Sequence, residues 1–263
     1  ITGTLKLTYF WNTEIMTYAS HGRGYKSGGT NIDRISPATG APLIFNPETS
    51  ESYEVGLEGE FLDRRLRVNM AAYLTDFDEF QANTFVGTGF VLQNAGEIQT
   101  SGFEIDTMAI LNENFSFSAG AALVDAEYDS FVDGSCIRTP FGTSPDQNVP
   151  NFPTVCDASG NRVDSTPEWA FFASLIGEFE VGDGFLFGRV DVNSRDVVPS
   201  GTDLDPNKEG DANTLANIRV GYRFADDKYE VSIWAKNAFD EQYKNGSFNS
   251  VIREGSLTSY HTE

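Results

Sequence analysis

The sequence predicts an all-β protein, the wall of an antiparallel up-and-down transmembrane β-barrel with about ten strands present. Three observations predict it. Hydrophobic and polar residues alternate at period two along successive segments of the chain. Short polar turns alternate strictly with long polar loops. Aromatic residues gather at both ends of the apolar faces.

Composition sets the frame. With 263 residues, 40% hydrophobic and 22% charged, the chain has the makings of a folded domain rather than a disordered one. It contains no apolar run of about 18 residues, which excludes a transmembrane helix but not a barrel, whose strands hide apolar side chains at every second position. The 21 Phe, 10 Tyr and 25 Gly favour strands over helices. A net charge of −21 argues against nucleic acid as a partner, because a phosphate backbone calls for basic patches. It fits solvated surface loops, or loops that meet cations.

The strands follow in order. Alternation runs through 4–11, a noisier 15–25, then 53–61, where Tyr53, Val55, Leu57, Gly59 and Phe61 oppose Glu54, Glu58 and Glu60. In 66–75, Leu66, Val68, Met70, Ala72 and Leu74 share a face. Similar stretches occupy 103–111, 115–124, 167–181 and 185–195. The last two are 216–224, with Ala216, Ile218, Val220, Tyr222 and Phe224, and 229–236, with Tyr229, Val231, Ile233 and Ala235. Turns fall at Asn12-Thr13-Glu14, Asp63-Arg64-Arg65, Asn112-Glu113-Asn114, Gly182-Asp183-Gly184 and Ala225-Asp226-Asp227-Lys228. Long polar stretches separate these hairpins at 26–51, 81–97, 130–166, 197–212 and 241–263. In a meander, alternate connections emerge at one end, so every long loop shares an end. That is the plan of an outer-membrane barrel, with periplasmic turns and extracellular loops.

The aromatics give the height of the wall. Tyr9, Trp11, Phe61, Phe115, Phe179, Tyr222, Phe224 and Tyr229 lie near the short turns, and Tyr53, Phe103, Trp169 and Phe171 near the loops. Trp169 and Phe179 are separated by about 33 Å of strand. At the usual tilt this becomes roughly 25 Å of height, the apolar band of such a barrel. The opposite face carries Glu54, Glu58, Glu60, Arg67, Arg189, Asp191, Arg219 and Arg223, which a packed soluble core could not hold unpaired. An open sheet of this size leaves two bare edges, so further chain is expected to close it.

Chemistry-bearing residues are few. Neither His21 nor His261 has a Ser or Asp partner by motif, so no catalytic residue and no enzyme activity is assigned. His21, in the least regular strand, reads as lumenal or structural. HGRGYKSGG (21–29) has the spacing of neither phosphate-binding glycine motif and reads as a Gly-rich loop entry. Cys136 and Cys156 lie in one polar stretch and suit a disulfide closing a single loop in an oxidising compartment, the competing reading being two unrelated thiols. Asp203, Asp205, Asn207, Glu209 and Asp211 alternate in a loop and hint at calcium. However, Pro206 follows the second Asp, Gly210 is misplaced for an EF-hand and the twelfth position is Thr214, so a solvated acidic loop is the default. No metal site and no cofactor is therefore assigned. Asp125, Glu127, Asp129 and Asp133 continue a strand above the aromatic level as an acidic rim, either simply solvated or meeting divalent ions that bridge lipopolysaccharide. Asn245-Gly246-Ser247 matches a glycosylation sequon, without weight in a bacterial outer membrane.

Five segments carry a family resemblance: YASHGRGYKSGGTN (18–31), NPETSESYEVGLEGEF (46–61), NAGEIQTSGFEID (94–106), TPEWAFFASLIGEFE (166–180) and WAKNAFDEQY (234–243). In order and spacing they resemble the barrel of TonB-dependent receptors. The resemblance implies a barrel of 22 strands, of which residues 1–263 hold a partial C-terminal portion, about strands 12 to 21. The N-terminal plug, the TonB box, the early strands and the last strand would lie outside it. It also implies TonB-coupled import of a scarce solute such as a ferric siderophore, in the bacterial outer membrane. The implied partners are outer-membrane lipid and lipopolysaccharide, the missing plug, the TonB complex reached through it, and a small-molecule ligand at the extracellular loops. A passive porin-like or plugless outer-membrane barrel is the alternative.

Overall fold

The computed structural model describes residues 2–31, 43–86, 89–132, 134, 156–203, 205–225, 227–249 and 257–262. Its strands, in chain order, are β1 (Gly3–Phe10), β2 (Ile15–Lys26), β3 (Gly29–Thr30), β4 (Ile44–Phe45), β5 (Glu48–Phe61), β6 (Leu66–Asp78), β7 (Gln81–Val86) and β8 (Gly89–Asn94). They continue as β9 (Glu97–Ile110), β10 (Phe115–Ser130), β11 (Trp169–Val181), β12 (Gly184–Arg195), β13 (Asn213–Phe224), β14 (Tyr229–Ala235), β15 (Tyr243–Asn249) and β16 (Leu257–Thr262). Ten of them form one sheet in the order β1-β2-β5-β6-β9-β10-β11-β12-β13-β14, each antiparallel to the next. This is the meander that the alternation predicts. The pairs β3–β4, β7–β8 and β15–β16 are small hairpins inside the long connections. The sheet is open in these residues, with β1 and β14 at its edges.

Local chemistry closes the short turns. Asn12 Oδ1 accepts from the backbone N of Glu14 and Ile15, at 2.7 and 2.8 Å. Asn112 repeats the device on Asn114 and Phe115, at 2.9 and 3.0 Å. A side-chain amide in each case mimics a backbone turn. The β11–β12 turn instead uses Gly182, at φ 66°, where a left-handed backbone costs glycine least.

Cross-strand partners share a face, so the register sorts the side chains. Leu7, Ala19, Val55, Ala72, Phe103, Leu123 and Trp169 form one row across seven strands. This face is apolar and uncovered: Val55 is 57% exposed and Val220 43%, although both sit on strands paired on either side. Such a surface suits lipid, not water. The ring pairs Tyr9–Trp11, Phe115–Phe179 and Phe224–Tyr229 mark its turn end, and Trp169–Phe171 its loop end.

The main buried core lies above that band rather than within it. Ile98, Ala126, Tyr128 and Phe131, on or just beyond the loop ends of β9 and β10, pack with Ala82, Ala95, Ala158 and Val163 from the connections. Tyr128 is wholly buried. All of the strand residues in this cluster point to the inner side of the wall, so loop segments fold inward over the mouth. Asp125, Glu127 and Asp129 occupy the outer side of the same stretch and are exposed, whereas Asp133 lies outside the described residues.

Candidate functional site

The inner face is a wall of charge and aromatic rings. Glu54, Glu58, Glu60, Arg67, Arg189, Asp191, Arg219 and Arg223 all fall on it by register. Most charges that the sequence places there meet a partner. Arg189 Nε donates to Asp191 at 2.8 Å, Arg219 Nη2 to Glu230 at 2.5 Å, and Arg223 pairs with Glu178. Tyr18 donates to Glu54 at 2.7 Å, with the Lys6 ammonium 3.8 Å above its ring. Local pairing lets such charges line a lumen at little cost.

Four aromatics on this face were not expected, because the sequence draws attention to rings at strand ends. Tyr18, Tyr73, Phe172 and Phe187 lie mid-strand, each over a glycine of the neighbouring strand: Gly56, Gly102, Gly120 and Gly221. A Cβ on any of these glycines would come within 2.5 Å of the ring. The glycines are therefore sockets for the rings. The readable signal was the cross-strand glycine itself, uninterpretable until the register was known.

The extracellular connections are tied together hand over hand. Gln81 Nε2 donates to the carbonyls of Ser27 and Asn46, both at 3.0 Å. The backbone N of Ser165 donates to Pro199 O at 2.9 Å. Ser200 Oγ reaches Ser247 O at 3.1 Å, and the backbone N of Asp211 and of Lys244 each donate across the 197–212 loop and β15, at 2.7 Å. This last clasp turns β15 back over the wall. Between β15 and the inner face lies a cleft of about 640 Å³, within the roughly 300–1,000 Å³ range of small-molecule sites. Glu104, Phe172, Asn193, Arg195, Asn213 and Tyr243 line it.

The acidic loop spends its side chains internally. Asp203 forms a buried ion pair with Lys208. Asp205 Oδ1 accepts from the backbone N and the amide of Asn207 at 3.0 and 2.8 Å, capping the 3-10 turn Pro206–Lys208. Asp211 holds β15. Among the described residues, no group of three or more His, Cys, Asp or Glu could hold a metal ion. Of the alternating residues Asp203, Asp205, Asn207, Glu209 and Asp211, the side chains of Asp203, Asp205 and Asp211 are thus engaged in building the loop. His21 is not lumenal: it pairs with Tyr53 on the outer face, ring centroids 4.8 Å apart, and so joins the loop-end girdle. Cys136 lies outside the described residues, as does the side chain of His261. Gly134 and Cys156 form an antiparallel bridge, with Cys156 N donating to Gly134 O at 2.8 Å. Next to it, hydrogen bonding from Ser159 holds the Asp157 carboxyl below its usual pKa.

An open-ended meander with a lipid-type outer face, a charged inner face and one-ended loops narrows the family. The model of TonB-dependent receptor-like β-barrels matches residues 1–238. This chain belongs to that family. Its barrels reside in the outer membrane of Gram-negative bacteria, in line with the two faces described above. The chain is 24% identical over 253 residues to the metal-pseudopaline receptor CntO of Pseudomonas aeruginosa, covering 95% of this chain and 31% of CntO. Among solved structures it resembles the ferric yersiniabactin uptake receptor FyuA from Yersinia pestis, with TM-score 0.75, 19% identity, and coverage of 99% of this chain and 35% of FyuA. The siderophore receptor PiuA from Acinetobacter baumannii gives TM-score 0.70 at 18% identity, with coverage of 100% of this chain and 34% of PiuA. The chain thus spans about a third of the length of these relatives. These relatives are receptors, not enzymes.

Proposed function

We propose that residues 1–263 are a partial C-terminal barrel wall of an outer-membrane receptor that imports a scarce metal chelate, such as a ferric siderophore, with energy delivered through TonB. The match to the TonB-dependent barrel family over residues 1–238 carries this reading. The metallophore and siderophore receptors among the relatives support the substrate class. In this reading a plug in the same polypeptide fills the lumen against the paired inner-face charges and couples to the TonB complex. Lipid and lipopolysaccharide meet the outer face, and the chelate meets the inward-folded loops.

The test is uptake by cells expressing the full-length receptor in an outer-membrane host that lacks its own siderophore receptors. Accumulation of a radiolabelled metal chelate should depend on both the receptor and TonB. Uptake that persists unchanged in a TonB-null host would instead favour a passive porin-like barrel.

A further inference from the structure

β12 and β13 present four arginines to the lumen, and three have carboxylate partners: Arg189 with Asp191, Arg219 with Glu230, and Arg223 with Glu178. The fourth is Arg195, opposite Asn213 and Ala170 at the level of the loop-end girdle. Among the described residues no carboxylate lies within 4.0 Å of it. Its Nη2 donates to the Asn245 side chain at 2.6 Å, its guanidinium carbon stands 5.9 Å from the Tyr243 ring centroid, and its Nε is enclosed without a hydrogen-bond partner. The pairing of charge along these two strands therefore breaks at the one arginine that lines the cleft.

We infer that Arg195, with Asn245 and Tyr243 around it, forms a subsite for a carboxylate. The inference rests on the import reading above and deepens it. A guanidinium offers parallel N–H donors that match the two oxygens of a carboxylate. Asn193, Asn213 and Asn245 supply neutral polar surroundings for that group. The other charged residues of the cleft are Glu104 and Asp106, on β9 and so three strands from Arg195. Arg195 is thus the one positive charge among the lining residues of the cleft, and the group there that can meet a carboxylate. Two sources share this chemistry: a carboxylate-bearing metal chelate entering the mouth, and an Asp or Glu of the plug expected in the same polypeptide.

The experiment compares the full-length receptor with Arg195→Gln and Arg195→Lys. It measures binding of ferric citrate as the polycarboxylate probe, binding of a ferric trihydroxamate as the carboxylate-poor probe, and thermal unfolding without ligand. A chelate carboxylate predicts that Arg195→Gln weakens ferric citrate binding about 10- to 100-fold, the loss of one charge-assisted hydrogen-bonded pair. Arg195→Lys should then recover part of the loss, with trihydroxamate binding and ligand-free unfolding unchanged. A plug carboxylate predicts a lowered unfolding temperature in Arg195→Gln before any ligand is added, partly recovered in Arg195→Lys. If neither binding nor unfolding moves in Arg195→Gln, the subsite is refuted. A wild-type receptor that takes up the trihydroxamate, ignores ferric citrate and is unmoved by Arg195→Gln would refute it while leaving TonB-coupled import intact.

Discussion

The Tyr128 hydroxyl donates to Asp164 Oδ1 at 3.0 Å, joining the loop end of β10 to the connection that precedes β11. Tyr128 is fully buried, and the backbone reinforces the link: Tyr128 N donates to Asn161 O at 2.9 Å and Gly160 N to Tyr128 O at 2.7 Å. Tyr128→Phe keeps the ring and loses one hydrogen bond, and should cost about 1–2 kcal/mol. Tyr128→Ala also opens a cavity beside Phe131 and Ile98, and should cost about 3–5 kcal/mol. Hydrogen exchange resolved along the chain checks this. Faster exchange should appear at residues 124–132 and 158–164 while the amides of the membrane band stay protected. Uniform acceleration over the whole sheet would mean that the mouth and the wall unfold together.

That inward core was written in the sequence as a change of phase. Along β10 the apolar residues occupy one parity from Phe115 to Leu123, and then the other at Val124, Ala126 and Tyr128, with Asp125, Glu127 and Asp129 taking the outer positions. β6 makes the same exchange between Leu74 and Phe77, and β9 between Phe103 and Ile98. The register places the three exchanges side by side, where the strands leave the apolar band. Below it the outer face must satisfy lipid, and above it water. The ten-strand meander, the five turns and the two faces were legible because period two needs no tertiary context. The ring-over-glycine pairs, the β15 clasp and the isolation of Arg195 were not, because each depends on which residues a neighbouring strand or loop brings opposite.

The two faces predict opposite responses at adjacent residues. Val220 sits on the outer face between Gly188 and Ile233, and Arg219 on the inner face against Glu230. Val220→Arg should destabilise the full-length barrel in lipid by about 1–2 kcal/mol, because a cation on the lipid face costs about 2–4 kcal/mol at the midplane and less towards the girdle that Tyr222 marks two residues on. Arg219→Val loses a half-exposed ion pair and should cost about 0–1 kcal/mol. Reversible denaturant unfolding in vesicles measures both. The reverse ranking would place Arg219 against lipid and invert the assignment of faces.

Ring-over-glycine packing is testable as a coupling. Gly120 lies opposite Phe172, and a Cβ built on it would meet the Phe172 ring at once. Gly120→Val should therefore destabilise the barrel by about 1–3 kcal/mol through overpacking. Phe172→Ala alone should also destabilise, by removing a ring that covers a bare stretch of backbone. Combined, the two changes should cost less than the sum of the single effects, because the added methyl groups occupy space the ring has left. Additive losses in the same unfolding assay would show that ring and glycine do not share one site.

The cysteines make the last prediction. Cys156 is placed by its bridge to Gly134, two residues before Cys136, and its neighbour Ala158 donates from its backbone N to Phe131 O at 2.8 Å. Gly134 lies two residues from Cys136 in sequence, and Cys136 and Cys156 are predicted to form a disulfide. Closing a loop of this length restricts the unfolded chain by about 3 kcal/mol. Reduction should loosen the segment anchored on Phe131 and Ala158 without opening the sheet below. Denatured, unreduced receptor should gain no mass from a thiol alkylating agent, and should gain two adducts after reduction. Two adducts without reductant would establish free thiols and leave the backbone bridge at Gly134 and the Ala158–Phe131 hydrogen bond to tie this part of the loop.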